Sequence, residues 1–155
     1  MQAKRYDTMQ EQTIGAGNAA SINITNSANR RANYHGIRAI GRIRADNVSA
    51  DNEAHGLVML LCINDNFPIL EPDVDSNTGL QELSEQIIAI EPWSVFGGST
   101  SLVGGNTFYD FNFNIKTSRT CSRGQELRLL IVSMAESAKS VVVQHALLSC
   151  FETTI

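Results

Sequence analysis

Between residues 108 and 117 the chain alternates without a break. Tyr109, Phe111, Phe113 and Ile115 fall on one parity, and Asp110, Asn112, Asn114 and Lys116 on the other. A strict period of two places the four large apolar side chains on one face of an extended strand and the polar ones on the opposite face. Asparagine is a poor strand former, so aromatic packing on a single face must hold this segment extended. A sheet with one such apolar face needs a second layer to cover it.

The same period recurs along the chain. Over residues 34–46, Ile37, Ala39, Gly41, Ile43 and Ala45 share one face, while Arg38, Ile40, Arg42 and Arg44 share the other. This reads as a half-buried strand with a basic outer face. Residues 55–63 form a nearly continuous apolar run, ended by Asn64, Asp65, Asn66 and Pro68; that length and content fit a strand buried on both faces. Residues 86–91 read as a strand stopped by Pro92, with 93–96 as its continuation. Residues 126–134 and 140–153 read as the last two strands, separated by a turn at 137–139. A short strand is expected at 21–25, and one helical turn at 80–84. The chain is therefore expected to be all-β, and about eight strands on one core favour a two-sheet sandwich or a barrel.

At 155 residues the chain is sized for a single domain. Residues 1–30 are rich in Gln, Asn, Ser, Ala and Gly and lack a hydrophobic period, so they read as a partly ordered N-terminal arm preceding a domain over 31–155. Charged residues are 18% of the chain and hydrophobic ones 43%, which is too apolar for a disordered chain. The charge content is also below the usual ~25%, as expected of a protein that hides surface against copies of itself. No apolar run is long enough for a membrane-spanning helix, and the first residues contain no apolar segment of a secretion signal. Cys62, Cys121 and Cys150 are far apart and match no zinc spacing. The expectation is buried free thiols in a reducing compartment.

Net charge is −4, unevenly spread. Residues 1–45 carry seven basic side chains against two acidic ones, and residues 46–155 carry five against fourteen. No Lys or Arg occurs between Asp46 and Asp110. Such polarity suits a molecule that stacks against copies of itself or turns one face toward a polyanion.

Catalytic chemistry finds little footing. His35, His55 and His145 are widely separated, whereas a cupin-type metal strand needs two histidines one residue apart followed by a glutamate. His145 lies in an apolar strand and reads as a core or interface residue. A Cys/His dyad would form in space rather than in sequence, and any chain with three Cys and three His permits one; the expectation is that the chain is not an enzyme. In the acidic loop Glu71-Pro72-Asp73-Val74-Asp75-Ser76-Asn77-Thr78-Gly79, the residues Asp73, Asp75 and Asn77 match the first ligands of a calcium loop. Thr78 stands where that loop needs Gly, and Ser84 where it needs the bidentate Glu, so an EF-hand is excluded. Two readings stay open: a solvated acidic turn, or an oxygen-ligand Ca2+ site completed at a subunit interface. No other cofactor is expected. The pairs Gly97-Gly98 and Gly104-Gly105 lack the GK[ST] of a phosphate loop.

The basic stretch is the most informative. Arg30, Arg31, Arg38, Arg42 and Arg44 follow one another with no intervening acid. They could hold phosphates by charge-assisted hydrogen bonds without reading bases. The competing reading pairs them with acidic surface of the same or a neighbouring subunit.

A polar arm leads into Ile37-Arg38-Ala39-Ile40-Gly41-Arg42-Ile43; the buried run ends Cys62-Ile63-Asn64-Asp65-Asn66-Phe67-Pro68; an aromatic strand is followed by Ser118-Arg119-Thr120-Cys121-Ser122-Arg123-Gly124-Gln125 and a last apolar pair of strands. Over roughly residues 30–155 this order resembles the single jelly-roll capsid proteins of small icosahedral viruses, with circovirus-like and nanovirus-like single-stranded DNA viruses and satellite viruses nearest in size. The resemblance implies an eight-stranded jelly roll of two four-stranded antiparallel sheets. It implies a structural coat protein, assembling in many copies around a single-stranded nucleic acid bound without sequence preference. Its location would be the virion, built inside the host cell without a signal peptide or membrane contact. One departure is plain: such proteins usually begin with a long basic arm, and here only Lys4 and Arg5 precede Arg30. The alternative of a different class is a soluble jelly-roll binding module, lectin- or cytokine-like, forming a small oligomer.

Overall fold

The computed structural model describes residues 2–25, 31–46, 53–64, 84–96, 107–134 and 140–154. In chain order the strands are β1 (Gln2–Ile14), β2 (Ala19–Thr25), β3 (Ala32–Ala45), β4 (Glu53–Asn64), β5 (Ile87–Phe96), β6 (Phe108–Ile115), β7 (Arg119–Cys121), β8 (Gln125–Ser133) and β9 (Val141–Thr154). No helix occurs among the described residues. One sheet runs β1-β9-β3-β6, with the three-residue β7 also paired to β3; the other runs β2-β8-β4-β5. Every pairing is antiparallel. With β7 set aside, this order is two nested Greek keys, and the fold is a jelly roll. The expected pair of four-stranded sheets is thus extended by one short strand.

Alternation supplies the core. From the five-strand sheet, Ile37, Ala39, Ile43, Phe111 and Leu148 point inward; from the four-strand sheet, Ile22, Ile24, Val58, Leu60, Leu129 and Ile131 meet them, all at most 3% exposed. β4 and β8 are the two central strands of their sheet. Their opposite parity, Met59, Leu61 and Ile63 with Leu130 and Val132, forms a second buried apolar cluster. That double burial is why β4 reads as a nearly continuous apolar run and β8 is apolar on both parities from Leu129 to Val132.

Residues 2–25 correct the expectation of an arm. β1 and β2 each begin a sheet, β1 along β9 from Gln2↔Thr153 to Ile14↔Val141, and β2 along β8 from Ala19↔Val132 to Thr25↔Glu126. β1 is an edge strand whose side chains are nearly all exposed. Its ladder hydrogen bonds hold it in place, so it needs no hydrophobic period. Pro92 does not end β5 but sits within it, opposite Leu57. β5 is the other sheet's edge, where a residue without an N–H is tolerated. The helical turn expected at 80–84 lies outside the described residues except for Ser84, which is in a turn.

The cysteine expectation is overturned. Cys62 of β4 and Cys121 of β7 form a disulfide joining the two sheets, with Cα atoms 6.2 Å apart, inside the usual range for such a bond. Only Cys150 is a free thiol, and it is buried. The partners are 59 residues apart, a separation that spacing rules cannot pair but that the crossing from one sheet to the other closes.

Candidate functional site

The outward face of the five-strand sheet brings together most of the predicted basic residues. Strand register arranges it in rows. Lys4, Phe151 and His35 form one row; Tyr6, Ser149, Arg38 and Asn114 the next; Thr8, Leu147, Ile40 and Asn112 a third; Gln10, His145, Arg42 and Asp110 a fourth. Two register shifts between β3 and β9, at His35/Arg38 and Arg42/Ile43, keep this parity outward along the whole face. Gly36 sits in the first shift at φ 57, a left-handed conformation that suits glycine. The second shift also explains why His145 is exposed rather than in the core: Val141, Val142 and Val143 are buried, and the parity then changes.

The arginines divide. Arg42 Nε donates to Asp110 Oδ1 at 2.7 Å and its Nη2 to Oδ2 at 3.1 Å, a bidentate pair, while its guanidinium lies 4.1 Å over the Phe108 ring. The hydrogen bond from Arg42 holds the Asp110 carboxyl below its ordinary range. Arg44 reaches across to Glu11 of β1 at 3.1 Å. For these two, acids of the same chain are the partners. Arg38 is exposed and has no ion-pair partner among the described residues, and the same holds for Lys4. Arg31 is exposed just before β3. Arg30 lies outside the described residues, as do Asp73, Asp75 and Asn77 of the acidic loop. Among the described residues no group of three or more His, Cys, Asp or Glu is placed to hold a metal.

At the centre of the face is a depression of about 430 Å³, lined by Lys4, Tyr6, Arg38, Ile40, Leu147 and Ser149. Its cause is the small Ser149 between two long side chains, Tyr6 and Arg38, which are its direct neighbours on either strand. Leu147 and Ile40 supply an apolar floor in the next row. Tyr6 is 69% exposed and Phe151 37%, large apolar surface left open to solvent. His35 stacks on Phe151 with ring centroids 5.8 Å apart, and its Nε2 is 3.2 Å from Thr153 Oγ1.

Lys4, Tyr6, Leu147 and Ser149 escape a reading of the sequence as a candidate site. The first two stand in a segment without period, and only the β1–β9–β3 register brings them beside Arg38. The alternation of Arg38, Arg42 and Arg44 was legible; their division into paired and unpaired was not.

No family model matches the chain, and no curated protein does. Similar solved structures include that of Cocksfoot mottle virus, at 10% identity and TM-score 0.47, covering 100% of this chain and 96% of that one. The xylan-binding module CBM15 is similar at 9% identity and TM-score 0.39, covering 97% and 96%. Dimeric latent PorU from Porphyromonas gingivalis is similar at 11% identity and TM-score 0.47; the match covers 97% of this chain but 13% of that one. Likenesses this distant assign no function, and a virus protein and a carbohydrate-binding module stand side by side among them.

Proposed function

We propose that this chain is a structural coat-protein subunit, without catalytic activity, that assembles in many copies into a small icosahedral shell around a single-stranded nucleic acid in a virion. The observation that carries this reading is the segregation of charge on a jelly roll. Lys4, Arg38, Arg42 and Arg44 gather on one sheet face against Asp110 and Glu11, on a chain whose net charge is −4. The rest of the surface must then be acidic, so one side suits a polyanion and the others suit differently charged flanks of sister copies. The 13-residue β1 ends its sheet, and an edge of that length is a template for pairing with another chain.

Negative-stain electron microscopy and light scattering on the purified chain test this. Closed particles of uniform diameter are expected at micromolar concentration. A monodisperse monomer under the same conditions overturns the reading. The depression on the exposed face favours a second reading, a soluble binding module in a small oligomer, which predicts ligand binding with no shell.

A further inference from the structure

We propose that the depression between β1, β9 and β3 is a site for one nucleotide unit of a single-stranded nucleic acid, with the phosphate held by Lys4 and Arg38 and the base laid against Tyr6. This rests on the reading that this face meets nucleic acid, and it names the contact.

The site's shape follows from the row Tyr6–Ser149–Arg38. Adjacent strands are about 4.8 Å apart, so the outer two residues stand about 10 Å apart at the backbone across a small central side chain. That leaves a slot wide enough for a flat ring beside a cation. The volume of about 430 Å³ falls within the roughly 300–1,000 Å³ of ligand pockets. On the β1 wall is an aromatic ring 69% exposed, with Lys4 two residues before it on the same strand; on the β3 wall is Arg38, and no acid among the described residues neutralises either cation. The contrast with the row two further along is informative, since there Arg42 is already engaged by Asp110 and Phe108.

The lining selects among ligands. A bare phosphate makes no use of Tyr6 or of the Ile40 and Leu147 floor. A neutral sugar makes no use of Lys4 and Arg38. An acidic peptide brings the anion without the flat ring. A nucleotide uses both halves, because every base has a face to stack and every unit carries one phosphate. The lining offers few groups aimed at base edges, the Ser149 hydroxyl being the one at its centre, so recognition is indifferent to sequence.

The test is fluorescence-anisotropy titration of the full chain with labelled ten-residue oligothymidylate, oligouridylate and an abasic oligomer of equal length. The variants are Tyr6→Ala, Tyr6→Phe and the double variant Lys4→Gln/Arg38→Gln. All lie on an exposed face, and circular dichroism checks that they fold. Tyr6→Ala is expected to weaken oligothymidylate binding about tenfold, in line with loss of one base stack, while Tyr6→Phe keeps it. The abasic oligomer should bind weakly and not respond to Tyr6→Ala. The Lys4/Arg38 double variant should lower the slope of log affinity against log salt by about 1.4, at about 0.7 per lost cation on a single strand. The oligouridylate arm separates RNA from DNA as the source of the nucleotide. The proposal is overturned if Tyr6→Ala leaves oligothymidylate affinity unchanged, if the abasic oligomer binds equally well, or if xylohexaose binds and no oligonucleotide does. Particles that form without oligonucleotide binding defeat this site and leave the assembly reading standing. Binding without particles does the reverse.

Discussion

Replacing both Cys62 and Cys121 with alanine removes the disulfide that joins the two sheets. The bond closes a loop with a sequence separation of 59. In the chain-entropy treatment a loop of that size removes about 14 cal/mol/K from the unfolded ensemble, or about 4 kcal/mol at 25 °C. A domain of this kind has roughly 5–15 kcal/mol in total, so the loss is a large share. With a urea slope of about 2 kcal/mol/M, the midpoint should fall by about 2 M. The chain has one tryptophan, Trp93, buried at 3% exposure, and its fluorescence reports the transition. Urea unfolding of the untreated chain, the reduced chain and the double variant should give one high midpoint and two low ones. Thiol titration in denaturant should find one reactive thiol per chain, Cys150, and three after reduction. Three thiols without reductant, or a double variant whose midpoint coincides with that of the untreated chain, would refute the argument. Three thiols without reductant would also restore the expectation of a fully reduced protein, since a lasting disulfide belongs to an oxidising setting.

Three further outcomes follow from the packing. A Cβ at position 56 would run into the Val132 carbonyl and come within 2.9 Å of the Trp93 ring; Gly56→Ala should therefore cost at least about 2 kcal/mol. Gly124→Ala, where the Cβ meets nothing within 4 Å but φ is +83, should cost about 1 kcal/mol; equal melting temperatures for the two variants would contradict the close approach of β4 and β8. Arg5→Met removes the guanidinium 2.7 Å from Glu152, whose side chain is 3% exposed. A buried carboxylate losing one charged partner while keeping Tyr34 beside it should cost about 1–3 kcal/mol after allowance for the partly exposed arginine. Arg5→Met/Glu152→Gln should recover most of that in urea midpoints; a double variant no better than the single would break the assignment. Burial pushes the Cys150 thiol up to about 12 and the Tyr109 phenol up to about 12. A group raised on folding keeps its stabilising effect below its unfolded value and loses it as pH climbs through the folded one. Stability should thus decline between about pH 9 and 12, and native Cys150 should resist iodoacetamide at pH 8; rapid alkylation in mass spectrometry would show the thiol is not buried.

How much was legible depended on burial. β3, β4, β6, β8 and β9 each carry an apolar parity or an unbroken apolar run, because each has at least one face in the core. The edges were legible only in part. β2 showed through Ile22 and Ile24, which are buried. Nearly all the side chains of β1 are solvated, so it left no hydrophobic trace. Since β1 brings Lys4 and Tyr6, two of the six residues that line the candidate site were hidden with it. Of the two readings of His145, core or interface, its apolar neighbours could not exclude the core; it is exposed, and the register shift that turns it outward has no local signature.

The amino-acid order alone decided that this chain must build layered sheets and that a row of arginines must line one outer surface. Both follow from a two-residue repeat, which any extended backbone converts into two unlike faces. Tertiary structure alone decided that Cys62 meets Cys121, that Asp110 and Glu11 neutralise Arg42 and Arg44, and that Lys4 and Tyr6 stand beside an unpaired Arg38. Those contacts join residues far apart in the chain, and they exist only once β1, β9, β3 and β6 lie side by side in register.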